Sequence, residues 1–147
     1  MNSIKEYISH SPEETFAIAQ KFAGTLKGGE VLALFGNLGA GKTAFVQGLA
    51  AGLGVKVQVN SPTFAIMKLY QANRAKIKQL CHVDTYRLSS SSELSDIGIS
   101  DYFNQADTIT AIEWAEKVKD ILPKELIVIK LVASEENIRK IEIKKPY

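Results

Sequence analysis

The sequence lacks the features of a secreted or membrane-spanning protein. Its 147 residues include one cysteine, Cys81, so no disulfide can form within the chain. Disulfides are rare in a reducing cytosol, which suits this composition. No stretch approaches the roughly 18 apolar residues of a membrane span, and the first residues contain no apolar segment of signal-peptide length. We therefore expect a cytoplasmic protein with no membrane partner.

The sequence also has little net charge. Lysine and arginine total 18 and the acidic residues 16, which leaves a formal net charge of +2. Proteins that bind nucleic acid directly usually carry a basic stripe with aromatic residues, whereas the lysines here are scattered. Charge alone therefore predicts no strong direct binding of nucleic acid.

One helix is marked clearly near the start of the chain. Ser11 is a good N-cap, Pro12 suits the first helical position, and Glu14 completes a capping box. Apolar residues then recur at helical spacing as far as Leu26, and the glycines at 28–29 are expected to end the helix.

Strands and helices alternate through the rest of the chain. The predicted elements are a strand at Val31–Phe35, a helix at 43–53, strands at 64–70 and 76–83 joined by a polar turn at 71–74, short helices within 91–103, a strand at 108–112, a helix at 116–122, and strands at 126–132 and 138–143. This alternation predicts one three-layer α/β domain over residues 1–147. Its sheet would be mostly parallel, with an inserted antiparallel hairpin and C-terminal edge strands.

The strongest motif is the segment 36–43, which reads Gly-Asn-Leu-Gly-Ala-Gly-Lys-Thr and matches the phosphate-loop pattern G-x-x-x-x-G-K-T. Its glycines let successive backbone N–H groups turn toward phosphate oxygens, and the next helix points its positive end there. Lys42 would reach the β- and γ-phosphates, and the Thr43 hydroxyl would bind Mg²⁺. The loop follows a predicted strand and opens a predicted helix, so we predict a P-loop NTPase-like fold that binds ATP and Mg²⁺.

Two acidic residues near predicted strand ends could complete the site. Glu113 directly follows the strand 108–112, and ligands of open α/β sheets lie beyond the carboxyl ends of strands. A carboxylate there can hold Mg²⁺ through water or act as a base; the alternative is an exposed strand-end acid. Asp84 lies in the segment 82–87, His-Val-Asp-Thr-Tyr-Arg, where it could join the metal shell or only form a turn.

Two further positions have a functional and a structural interpretation. Trp114, the only tryptophan, could line the nucleotide site or a partner surface, or serve in packing. The segment 60–64, Asn-Ser-Pro-Thr-Phe, follows the phosphate-loop helix, where nucleotide switches often occur. Ser61 or Thr63 could contact nucleotide there, although Ser-Pro also nucleates ordinary turns.

Together these motifs resemble the TsaE family of bacteria. They are GNLGAGKT at 36–43, NSPTF at 60–64, HVDTYR at 82–87, an acidic stretch at 93–98 and IEW at 112–114, and they cover nearly the whole chain in the family's order. The resemblance implies an ATPase component of the machinery that makes threonylcarbamoyladenosine in tRNA, next to the anticodon. It also implies two protein partners, TsaB and TsaD. ATP binding and hydrolysis would drive or reset the complex that they form. We expect tRNA to be contacted only through these partners.

The resemblance assigns roles to residues that match the motifs. It implies that Lys42 and Thr43 bind phosphate and metal and that Asp84 belongs to the metal site. It also implies that Glu113 is the functional acid next to Trp114. The candidate catalytic residues are Glu113, Asp84 and Lys42, and the candidate metal ligands are Thr43, Asp84 and Glu113. The candidate nucleotide-binding residues are Asn37, Leu38, Gly39, Ala40, Gly41, Lys42, Thr43, Ala44, Ser61, Thr63 and Trp114.

Other nucleotide-dependent functions would call for different sequence features. A small-molecule kinase would usually need several arginines to clamp the transferred group, and of the three arginines only Arg87 lies in a motif. A GTPase would normally carry a guanine-reading Asn-Lys-x-Asp segment, which the sequence lacks. A nucleotide-gated interaction module with negligible turnover remains open.

Overall fold

The computed structural model describes residues 3–37, 39–62, 65–103 and 105–146. The elements are β1 (Ser3–Ser9), α1 (Pro12–Ala23), β2 (Val31–Phe35), α2 (Lys42–Gly52), β3 (Met67–Arg74), β4 (Ile77–Asp84), α3 (Ser91–Asp96), α4 (Ile99–Phe103), β5 (Thr108–Glu113), a 3-10 helix (Ala115–Ile121), β6 (Ile127–Glu135) and β7 (Ile138–Lys145). The strands form one seven-stranded sheet in the order β1-β7-β6-β2-β5-β4-β3. Within the described ranges, no helix has the length and apolarity needed to cross a membrane.

The centre of the sheet is parallel and covered on both faces. Strands β6, β2, β5 and β4 run parallel to one another, and every residue of β5 is buried. Leu32 and Leu34 of β2 pack into the apolar cluster that includes α1 and α2. Val31 and Ala33 face the cluster formed with α3, α4 and the 3-10 helix. The predicted three-layer α/β fold with a mostly parallel sheet is therefore confirmed.

The inserted hairpin is confirmed, but the predicted position of its turn is wrong. Strands β3 and β4 pair antiparallel, and the chain turns between Arg74 and Ile77, where Ala75 has a positive φ of 51°. Residues 71–74, which were predicted as the turn, belong to β3 instead. Gln71 and Asn73 are exposed on this edge strand. Because exposed strand residues can be as polar as those of a loop, the sequence pattern indicated a turn here.

The prediction that the C-terminal strands form the edge of the sheet needs correction. β7 pairs antiparallel with β6 on one side and with β1 on the other, so β1 is the edge strand. No strand was predicted at Ser3–Ser9, where the structure has β1. Five of its seven residues are exposed, so the segment lacks the apolar alternation by which strands are predicted.

Helix α1 begins as predicted and ends earlier. Ser11 is the N-cap, and its hydroxyl accepts a hydrogen bond from the N–H of Glu14 at 3.0 Å. The Glu14 carboxylate accepts from the N–H of His10 at 2.8 Å, one residue before the position of a standard capping box. The helix ends at Ala23 rather than at the glycines at 28–29.

Helices α1 and α2 approach each other closely at two glycines of α2. A Cβ built on Gly48 would lie 2.1 Å from the carbonyl oxygen of Phe16, and one built on Gly52 would lie 2.5 Å from that of Gln20. These obstacles are backbone atoms, which cannot rotate away. The contact matters for the site because α2 begins at the end of the phosphate loop.

We expect Gly48→Ala to destabilise the protein by about 3 kcal/mol, because α1 and α2 must move apart to admit the methyl group. Urea unfolding monitored by circular dichroism measures the loss. The control is Ala51→Leu, since Ala51 is half-buried on the same helix beside a surface groove. Equal stability of Gly48→Ala and the unsubstituted protein would contradict the close packing described here.

Candidate functional site

The phosphate loop joins the carboxyl end of β2 to the first turn of α2. Gly41 directly precedes the helix with φ of 101°, a left-handed conformation that side chains strongly disfavour. The loop is closed by a hydrogen bond from the N–H of Ala40 to the carbonyl of Asn37 at 3.0 Å, and the N–H of Phe45 bonds to the carbonyl of Gly41 at 3.0 Å. The start of α2, with its partial positive charge, therefore faces the loop.

Lys42 is held inside this loop. It is only 5% exposed, and its Nζ donates to the carbonyl of Gly36 and, at 3.3 Å, to that of Asn37. The same nitrogen lies 3.7 Å from the ring centroid of Trp114. Burial lowers the pKa of the Lys42 ammonium, and the nearby carboxylates, led by Glu113, oppose that shift.

The two candidate acids lie side by side because their strands are in register. Asp84 ends β4, Glu113 ends β5, and the two residues pair directly in the parallel ladder. Oδ2 of Asp84 accepts from the Ser61 hydroxyl at 2.6 Å, and Oδ1 accepts from the N–H of Tyr86 at 2.9 Å. Ser61, from the candidate switch segment 60–64, therefore contacts one of the candidate metal ligands.

Glu113 is fixed by two residues of β4 and its extension. The carboxylate is 3% exposed, and its Oε2 lies 2.5 Å from Nε2 of the fully buried His82. Thr85 donates its N–H to the carbonyl of Glu113 at 3.2 Å and its hydroxyl to the carbonyl of Trp114 at 2.6 Å. These bonds hold the turn after β5, where Trp114 has a left-handed φ of 59°.

The loop and both acids line one cleft of about 460 Å³. Its lining residues are Asn37, Gly39, Ala40, Gly41, Lys42, Thr43, Ser61, Asp84, Tyr86, Arg87, Glu113 and Trp114. The structure thus brings together most candidate residues from four separate segments of the sequence. Ala44 lies in α2 outside this lining, and the candidates Leu38 and Thr63 lie outside the described residues.

Besides His82 and Thr85, three lining or supporting residues were absent from the candidate set. Tyr86 and Arg87 line the cleft, and the Tyr86 ring lies 4.9 Å from that of Trp114. Both residues belong to the motif at 82–87, so the sequence could have identified them as candidates. Arg139 of β7 donates to the carbonyl of Gly39 at 3.1 Å, a contact between residues 100 positions apart that no local pattern indicates.

The candidate metal ligands Thr43, Asp84 and Glu113 all line the cleft. Two of them carry carboxylates, at the ends of β4 and β5, and the third carries a hydroxyl at the start of α2. In the parts of the chain that the structure describes, no group of three or more His, Cys, Asp and Glu side chains is arranged to hold a metal ion. The metal role of these three residues therefore stays a prediction.

A strand, a phosphate loop and a helix on a mostly parallel sheet, with acids ending two adjacent strands, define a P-loop NTPase-like protein. Comparison with known proteins gives the family. The model of the family described as "Threonylcarbamoyl adenosine biosynthesis protein TsaE" matches residues 9–141. The chain belongs to the TsaE family, whose members take part in the biosynthesis of threonylcarbamoyladenosine in tRNA.

Individual relatives agree with this assignment over most of their length. The tRNA threonylcarbamoyladenosine biosynthesis protein TsaE of Bacillus subtilis is 44% identical over 128 residues, which are 86% of this chain and 77% of the relative. The protein of the same name from Aquifex aeolicus is 39% identical over 145 residues, covering 97% and 98% of the two chains. The crystal structure of Bacillus subtilis YdiB has a TM-score of 0.80 and 35% identity, covering 99% of this chain and 87% of that one.

Proposed function

We propose that this chain is a cytoplasmic, Mg²⁺-dependent ATPase whose ATP binding and hydrolysis drive or reset a complex of TsaB and TsaD during tRNA modification. The observation that carries the proposal is the meeting of Lys42, Asp84 and Glu113 around one cleft at the phosphate loop. The low net charge of +2 supports contact with tRNA only through the partners.

ATP binding would use the phosphate loop and its lysine. The backbone N–H groups of the segment 36–43 and the positive end of α2 would bind the phosphates. Lys42 would exchange its bonds to the carbonyls of Gly36 and Asn37 for bonds to the β- and γ-phosphates. A phosphate oxygen is the stronger acceptor for an ammonium because it carries negative charge.

The side chains of the cleft fit Mg²⁺, a hard cation that takes oxygen ligands and is usually held by one or two carboxylates together with phosphates. The exposed Thr43 hydroxyl and the Asp84 carboxylate would hold the ion. Bound Mg²⁺ would neutralise charge on the phosphates. Glu113 would orient the attacking water and accept its proton, since the residue lines the cleft and lies opposite Asp84 in the ladder of β4 and β5.

Nucleotide titration with tryptophan fluorescence tests the binding step. Trp114 is the only tryptophan, and its ring contacts the ammonium that would move to the phosphates. We expect ATP with Mg²⁺ to change the emission at saturating concentration, and GTP to have a weaker effect. No change with either nucleotide, together with no heat of binding in calorimetry, would contradict the proposal.

A nucleotide-gated interaction module is a second candidate, and one contact favours it. The Ser61 hydroxyl donates to Asp84 at 2.6 Å, so metal and nucleotide at Asp84 would change the partner of the segment 60–64. In this module, ATP would order the loop at 61–63 and the region 89–103 to create a docking surface. Tight ATP binding without phosphate release, even with TsaB and TsaD present, would favour this module over the ATPase.

A further inference from the structure

The buried contact between His82 and Glu113 is left unused by the function proposed above. His82 lies on β4, two residues before Asp84, and is 0% exposed. Its Nε2 lies 2.5 Å from Oε2 of Glu113, which is 3% exposed. A polar contact this short and this buried constrains the carboxylate strongly, because neither group can exchange its partner for water.

The surroundings of His82 determine where its proton lies. Nδ1 is buried and has no hydrogen-bond partner among the residues that the structure describes. A proton on Nδ1 would be a buried donor without an acceptor, which is costly. The tautomer with its proton on Nε2 avoids this cost and directs that proton toward Oε2 of Glu113.

We propose that His82 is a positioning residue, which donates its Nε2–H to Oε2 of Glu113 and thereby aims the other carboxylate oxygen into the nucleotide cleft. In the hydrogen bonds of the described residues, Oε1 of Glu113 is not engaged, and the residue lines the cleft. With Oε2 held, the side chain cannot rotate to bring Oε2 forward. The free oxygen is then preset to orient water before the nucleotide binds.

The backbone contacts of the same segment support this arrangement. Thr85 donates its N–H to the carbonyl of Glu113 and its hydroxyl to that of Trp114. The segment 82–85 therefore fixes both the side chain and the main chain of Glu113 at the end of β5. Asp84, which lies between His82 and Thr85 in the sequence, accepts the hydrogen bond from Ser61. The short motif His-x-Asp-Thr thus sets the geometry of both candidate acids.

This inference rests on the proposed function, in which Glu113 acts on the attacking water, and kinetics in the complex with TsaB and TsaD test it. We expect His82→Leu, which removes the donor and keeps an apolar side chain of similar size, to lower kcat by about 10–100-fold. The KM for ATP should not change, since His82 does not line the cleft. His82→Gln retains an N–H donor near the position of Nε2 and should keep most of the kcat.

A double-mutant cycle separates positioning from a general structural role. In the Glu113→Gln background, His82→Leu should cause no further loss of kcat, because its effect passes through the carboxylate. Multiplied losses in the double variant would overturn the proposal. Thr110→Val is the matched control. The buried Thr110 hydroxyl on β5 also has no hydrogen-bond partner among the described residues, and Thr110 lies outside the cleft lining, so the kcat of this variant should be unchanged.

Nuclear magnetic resonance of histidine labelled with ¹⁵N tests the contact independently of turnover. The chain has only two histidines, and His10 is exposed, so it serves as the internal reference. We expect His82 to carry a proton on Nε2 that is protected from exchange and shifts in Glu113→Gln. A proton on Nδ1, or an unchanged spectrum, would overturn the inference. Absence of phosphate release by the unsubstituted complex would instead count against the proposed function.

Discussion

Glu113→Gln is expected to lower the rate of ATP hydrolysis by about 100–1,000-fold, which is the usual contribution of a positioned base. Glutamine keeps the size of the side chain, and its carbonyl can still accept from Nε2 of His82. The fold and the cleft should therefore persist while the negative charge is lost. Phosphate release in the complex with TsaB and TsaD gives kcat, and titration of Trp114 fluorescence gives the affinity for ATP, which should change little.

Glu116→Gln is the matched control for Glu113→Gln, because it removes a negative charge of the same kind from a nearby glutamate. Glu116 is exposed on the 3-10 helix, three residues beyond Glu113, and is absent from the lining of the cleft. Both carboxylates oppose the lowering of the pKa of Lys42, so both variants alter the electrostatic field at that ammonium. Equal losses of kcat would mean that Glu113 acts through this field alone, and would contradict its role in positioning water.

Lys42→Met is expected to lower kcat/KM for ATP by at least about 100-fold, because it removes the ammonium that bonds to the carbonyls of Gly36 and Asn37 inside the loop. Methionine retains an unbranched apolar side chain that can still pack on the ring of Trp114. The loss should therefore reflect missing charge rather than collapse of the loop. Turnover and calorimetric binding of ATP measure the two parts of the effect.

Lys119→Met is the control for Lys42→Met, because it also removes a lysine ammonium that lies over an aromatic ring. Nζ of Lys119 lies 5.7 Å from the ring centroid of Phe35, but Lys119 is exposed and does not line the cleft. Its removal should leave both ATP binding and turnover unchanged. ATP binding by Lys42→Met with unchanged affinity and turnover would show that the phosphate loop is not the nucleotide site.

The sequence predicted those parts of the fold whose signals are local. The core strand Val31–Phe35 is an apolar run between glycines, and the cap at Ser11 needs only three neighbouring residues. The edge strands gave weaker signals. β1 is mostly exposed, and the exposed half of β3 has the polarity of a turn, so pairing with a distant strand decides both conformations.

The candidate site was predicted in its composition more than in its geometry. The phosphate loop is one continuous segment, so its residues could be found together by pattern. The contact of His82 with Glu113 depends on the register between β4 and β5, in which Asp84 lies opposite Glu113. Likewise, Arg139 reaches Gly39 only because β7 folds back beside β6. Sequence spacing carries no information on such contacts.

We propose that ATP hydrolysis by this chain drives or resets the complex of TsaB and TsaD. The most direct measurement is phosphate release from ATP and from GTP with Mg²⁺, for the chain alone and with TsaB and TsaD added. We predict turnover with ATP that rises in the complex and exceeds turnover with GTP. Tight ATP binding with no phosphate release in either setting would contradict the ATPase and leave the nucleotide as a signal that gates assembly.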